Sequence, residues 1–182
     1  MTIILAMVSS PLYFAWVSRG PTTPLSWLDA FAAAGMMSCI VLATAADNQQ
    51  WTFQCRKAKW LSLSSEDRRK KGMPASFPEA QDGFRQTGLF AWSRHPNYFG
   101  EITGWWFFYL FSVAASKRIL NWTIMGPVVY TILFQITTPL AEYISSEKYP
   151  SYRDYQNRVS RLIPSPFSRP ISRAISQEKK EK

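Results

Sequence analysis

At 182 residues, with 47% hydrophobic and 15% aromatic side chains, the chain has room for one compact domain, and its eight Trp exceed what a water-soluble core of this size requires. Two Cys and a single His exclude a tetrahedral zinc site and a disulfide framework, so no metal centre is expected. A net charge of +9 would ordinarily raise nucleic acid as a partner, yet nine of the 21 cations fall in residues 47–97 and nine in 142–182, a distribution that reads as membrane topology and argues against nucleic acid.

Residues 2–17 (TIILAMVSSPLYFAWV) carry no charge but are short for a bilayer whose core takes about 20 helical residues. They read as a spanning or re-entrant helix, with a secretory signal as the rival. Residues 25–46 (LSWLDAFAAAGMMSCIVLATAA) are long enough to span comfortably, with Asp29 near one end and small residues that permit close helix contact. The stretch 47–97 is polar, carries RRKK at 68–71 and is broken by Pro74 and Pro78, so an irregular extramembrane loop is predicted. Apolar character returns over 98–115, pauses at SKRILN and resumes over 122–141, which predicts a helical hairpin. From Glu142 the tail is amphipathic, then basic, and ends in KKEK.

The predicted fold class is therefore all-α: one membrane unit over residues 1–182, with about four transmembrane helices, a loop at 47–97 and a tail at 142–182. Eighteen cations in loop and tail against Arg19, Lys117 and Arg118 orient loop, tail and both termini toward the cytoplasm.

The chemistry-bearing stretch is SRHPNYFGEITGWW, residues 93–106, which holds the only histidine. Pro96 suits a first helical turn, where its missing N–H is unpaired in any case, and Ser93 and Asn97 are residue types that satisfy orphan amides. On the helix that follows, Asn97, Gly100, Glu101 and Gly104 share one narrow face. The two glycines let another backbone approach, and Glu101, costly against lipid, is expected to face protein or a polar cavity. Thr131, Gln135, Thr138 and Glu142 form a matching stripe on the last span, so the two stripes are expected to meet; Pro139 is expected to kink that helix. Past the membrane, EKYPSYRDYQNRVSRLIP at 147–164 sets Tyr149, Tyr152 and Tyr155 among Arg153, Arg158 and Arg161. Such a segment either clamps an anionic aromatic cofactor or lies on anionic lipid.

Three pieces, ADNQQWTF at 46–53, GLFAWSRHPNYFGEITGWW at 88–106 and EKYPSYRDYQNRVSRLIP, resemble the C-terminal region of the steroid 5-alpha-reductase-like membrane proteins, a superfamily shared with sterol reductases and isoprenylcysteine carboxyl methyltransferases. In the reductase branch the resemblance implies NADPH at the cytoplasmic mouth of a helical bundle, and a lipophilic steroid, sterol or enoyl-type substrate whose C=C bond is reduced. Carried over residue by residue, it implies cofactor binding by Arg94, His95, Asn97, Tyr98, Glu101, Tyr152, Tyr155 and Arg158, with Glu101 and Tyr98 catalytic. The methyltransferase branch implies S-adenosylmethionine and a lipid or prenylated substrate as the alternative, and a non-enzymatic membrane scaffold is a third reading. No G-x-G-x-x-G occurs, so a soluble dinucleotide-binding domain is not the binder. Family members usually have further N-terminal spans that hold the substrate carbonyl; with two spans before the motif, this chain reads as a shortened member. The closing KKEK resembles a dilysine retrieval signal, which implies the endoplasmic reticulum membrane.

Overall fold

The computed structural model describes residues 2–20 and 24–168 and is all-helical there, with no strand. The terminal KKEK lies outside the described residues. The helices are α1 (Thr2–Ser18), α2 (Trp27–Leu61), α3 (Ser65–Lys70), α4 (Pro78–Asp82), α5 (Pro96–Ser116), α6 (Met125–Lys148) and α7 (Tyr152–Arg158), with single 3₁₀ turns at Gly88–Ala91 and Trp122–Ile124.

Among the described residues, two helices are long and apolar enough to cross a membrane: α2, and the continuous helical stretch Trp122–Lys148 that contains α6. Only 17% of the apolar window of each is buried inside the chain, far less than a core helix of a water-soluble protein buries. Their outward faces, which carry Phe31, Ile40, Val41, Ile132, Ile136 and Leu140, are the surface a bilayer would solvate. Of the other two predicted spans, α1 is apolar but only 17 residues long. Helix α5 reaches 21 residues, and its first turns carry Asn97, Gly100, Glu101, Thr103 and Gly104.

The largest departure from the predicted elements is in α2, which does not stop at Ala46 but continues to Leu61 through what reads as loop. The reason is periodic. Ala32, Cys39, Ala46, Phe53 and Trp60 are all buried, each seven residues after the last, so they lie close to one face of a 3.6-residue helix. No Gly or Pro interrupts the chain between Gly35 and Gly72, and the exposed cations Arg56 and Lys59 lie off the buried face. Beyond Leu61, Ser64 caps α3 by accepting the Asp67 amide at 3.1 Å. Helix α6 likewise runs past the predicted end at residue 141 to Lys148, with Pro139 inside it.

The chain divides into two compact units. One, here the apolar unit, comprises Met1–Thr44 and Asn97–Ala141; the other, the polar unit, comprises Ala45–Pro96 and Glu142–Lys182.

Glycines set the closest approaches in the apolar unit. A Cβ on Gly100 would meet the Cys39 carbonyl oxygen at 2.9 Å and the Ala43 amide nitrogen at 3.1 Å, so α5 lies directly on the α2 backbone. Gly126 does the same for α6 against α1, where a Cβ would lie 2.9 Å from the Val8 Cα. Phe14 of α1 meets Trp122 edge-on, with centroids 6.2 Å apart. The turn after α5 is tied by Tyr109, which donates to the Ile119 carbonyl at 2.5 Å, and by Asn121, whose Nδ2 donates to Ser112 at 3.1 Å. In the polar unit, Phe84, Tyr152, Tyr155 and Val159 form a buried core with Tyr149 against it.

Candidate functional site

In the polar unit, the residues ahead of α5 are not a free loop. Their backbone is stitched to the tail: the Arg94 amide donates to Ser160 O at 2.8 Å, the His95 amide to Arg161 O at 3.2 Å, and the Ser165 amide to Trp92 O at 3.0 Å. Buried Ser93 donates through Oγ to Leu162 O at 2.8 Å, and its Oγ also accepts from the His95 amide at 3.2 Å. Two segments about 68 residues apart thus satisfy each other's backbone groups, which a buried irregular segment must do.

The centre of this arrangement is Glu142. Arg94 donates to it through two parallel bonds, Nε to Oε1 at 2.6 Å and Nη2 to Oε2 at 3.0 Å. His95 Nε2 lies 3.0 Å from Oε1, and Gln156 Nε2 donates to Oε2 at 3.1 Å. The same arginine gives Nη1 to the carbonyls of Gln156 at 2.7 Å and Val159 at 2.5 Å. Side chains of Arg94 and Glu142 are 9% and 7% exposed, so the pair is largely out of water and its bidentate geometry offsets the desolvation. Burial pushes the Glu142 carboxyl up, but the His95 and Arg94 hydrogen bonds, the Arg94 charge and Gln156 outweigh it and hold the acid at about 2.

The tail residues brought into the candidate site lie close by in the same unit. Tyr155 donates its hydroxyl to the Phe90 carbonyl at 2.6 Å, and burial pushes that phenol well above its usual range. Tyr152 is buried edge-on to Phe84, with centroids 4.9 Å apart. Arg158 donates Nη2 to Gln86 Oε1 at 3.2 Å and Nε to Asp154 O at 3.1 Å. Arg94, His95, Tyr152, Tyr155 and Arg158 therefore all hold the polar unit together. In the same unit Arg56, Lys59, Arg69 and Lys71 are exposed, and Lys70 pairs with Glu66 at 2.9 Å on the surface.

The remaining predicted residues belong to the apolar unit. Asn97 occupies the first turn of α5 and is half-buried. Tyr98 packs edge-on against Phe134 of α6 at 4.8 Å between centroids. Glu101 accepts a hydrogen bond from the hydroxyl of Tyr130 on α6. Tyr130 is in turn flanked by Phe134 at 5.0 Å and Trp105 at 6.1 Å, so the acid and phenol sit on an aromatic frame.

One expectation about the helix stripes is corrected by this geometry. Glu101 is not enclosed by this chain: it is exposed, with Tyr130 as its bonded partner. The Gly100 and Gly104 part of the α5 stripe turns to Cys39 and Ala43 of α2. Thr131 of the α6 stripe accepts from Trp106 Nε1 at 3.1 Å, a residue expected to lie off the α5 stripe. Tyr130 was the residue missing from the sequence reading. The available signal was that an intramembrane carboxylate needs a donor, and Tyr130 is the one phenol within the predicted fourth span.

A family model described as "Protein of unknown function (DUF1295)" matches residues 1–159. The chain is 38% identical over 160 residues to the protein called "Uncharacterized protein C594.04c" of Schizosaccharomyces pombe, a match that covers 88% of this chain and 45% of that one. It thus spans under half the length of this curated relative. No solved structure matches.

Proposed function

The chain belongs to the DUF1295 family, and from that premise we propose that it is a membrane-embedded, NADPH-dependent reductase of a C=C bond in a lipophilic substrate of steroid, sterol or enoyl type. The observation that carries this reading is the hydrogen bond from Tyr130 to Glu101 on the aromatic frame of α5 and α6. Reduction of an activated alkene adds one hydride and one proton. A phenol held against an acid, among apolar side chains, is suited to deliver that proton to a lipid-soluble acceptor. The resemblance of SRHPNYFGE to the steroid 5-alpha-reductase-like proteins supplies the other half of the reading, the choice of NADPH.

The donor chemistry of the polar unit fits an anionic dinucleotide. Exposed Arg56, Lys59, Arg69, Lys71 and Arg153 offer charge to its phosphates. Arg94 spends four of its five N–H donors within the protein, so it acts as a positioning residue that fixes His95 and the start of α5. When bound, NADPH supplies hydride to the electron-poor carbon. The chain's own part is to shelter the alkene on Tyr98, Phe134 and Trp105 and to pass the proton from the Tyr130 hydroxyl to the neighbouring carbon. Solvent then restores that proton. In this reading the protein resides in the endoplasmic reticulum membrane with its basic segments in the cytoplasm.

Cofactor-dependent melting of the purified chain in detergent tests the proposal, since a ligand bound only to the folded state raises its stability by mass action. NADPH is expected to raise the melting temperature in a saturable way, and S-adenosylmethionine to leave it unchanged. A shift with S-adenosylmethionine alone assigns a lipid methyltransferase instead, and no shift with either leaves the scaffold reading.

A further inference from the structure

In the apolar unit, away from the acid–phenol pair, α1, α5 and the start of α2 enclose an open cleft of about 640 Å³, within the size range of roughly 300–1,000 Å³ typical of small-molecule sites. Leu12, Ala15 and Trp16 of α1 and Phe111 of α5 form its apolar walls, and Arg19 and Asp29 form its polar end. The two charges are unequally served. Asp29 accepts from Arg19 Nη2 at 2.7 Å, from the Ser26 amide at 2.7 Å and from the Ser26 hydroxyl at 2.8 Å. Of the five N–H directions of Arg19, one is used by that bond among the described residues; its Nε is buried with no acceptor there, and 24% of the side chain stays open.

An under-bonded guanidinium at the end of an apolar trough in a membrane-spanning unit calls for oxygen acceptors attached to hydrocarbon. We propose that this cleft binds a membrane glycerophospholipid, its phosphodiester oxygens against Arg19 and its chains along Leu12, Trp16 and Phe111. The phosphodiester is preferred because a planar guanidinium fork matches the paired oxygens of phosphate. Exposure of Leu12 at 62% and Trp16 at 76% makes the wall accessible from the side on which acyl chains would lie.

The test is melting of the full chain in maltoside micelles with three probes: dioctanoyl phosphatidylglycerol, dioctanoylglycerol, which lacks the phosphate, and inorganic phosphate. The phospholipid is expected to raise the melting temperature by about 5 °C at saturating levels, with the other two inert. Arg19→Lys keeps a cation opposite Asp29 but gives up the fork, and Ala15→Phe fills the trough; each is expected to weaken the apparent phospholipid affinity at least tenfold. Trp16→Ser, at an exposed position, is expected to weaken it as well and serves if either of the others fails to fold. An equal shift with dioctanoylglycerol, a shift with inorganic phosphate alone, no shift with the phospholipid, or wild-type affinity in the folded variants overturns the proposal.

Discussion

Arg94 grips Glu142 through two parallel hydrogen bonds of 2.6 and 3.0 Å, although the two residues stand 48 positions apart in the chain. The pair is largely buried, and removal of one partner leaves the other charge uncompensated. Glu142→Leu and Arg94→Met are each expected to destabilise the protein by about 3 kcal/mol, and the double variant by distinctly less than the sum. Melting temperatures of the four proteins in one detergent measure this. An additive cycle would show that the two side chains do not act as a unit.

The same pair sets a response to acid. The folded-state acidity of Glu142, at about 2, lies below the ordinary carboxylate value of 4.5, so its contribution to stability is complete above that ordinary value and is lost as pH falls from there toward 2. Wild type is therefore expected to lose stability over that window more steeply than Glu142→Gln, which cannot titrate. Chemical or thermal unfolding at pH steps between neutrality and about 3 compares the two slopes.

Glu101 is exposed and Tyr130 half-buried, so their stability cost and their functional cost are expected to separate. Glu101→Gln and Tyr130→Phe should each stay within about 0.5 kcal/mol of wild-type stability while turnover falls about 10²- to 10⁴-fold. The double variant should be no slower than the worse single, because one proton path is removed only once. Full turnover in both single variants would reduce the pair to a surface hydrogen bond.

The two glycines of α5 are expected to respond differently to the same change. A Cβ on Gly100 would meet backbone of α2 at 2.9 and 3.1 Å, whereas one on Gly104 would meet the Cys39 Cβ at an ordinary 3.5 Å. Gly100→Ala is expected to cost about 1–3 kcal/mol, and Gly104→Ala to be neutral or slightly stabilising through its better helix propensity. Gly100→Leu is expected to abolish folding. Thermal melts of the two alanine variants side by side decide the matter.

Much of the helical framework was legible in advance. The predicted runs at 2–17 and 98–115 became Thr2–Ser18 and Pro96–Ser116, because an uninterrupted apolar stretch closed by polar residues has few local alternatives to a helix. The extension of α2 was also written in the chain, in the seven-residue spacing of Ala32, Cys39, Ala46, Phe53 and Trp60, but the cations around Arg56 masked it. Charge signals where a chain leaves apolar surroundings; it does not end a helix. The partner of Glu101 is not marked by such spacing, since Tyr130 lies one position off the polar stripe of α6.

Residue order alone settles the local matters here: helical periodicity, the apolar character of the long helices, and the gathering of acid, histidine and asparagine at the start of α5. These follow from interactions that reach three or four residues along the chain. The pairing of Arg94 with Glu142, of Tyr155 with the Phe90 carbonyl, and of Tyr130 with Glu101 depended on how distant segments packed. Each joins groups tens of residues apart, and only the folded arrangement, in which buried donors must find acceptors, selects one partner among many of equal chemistry.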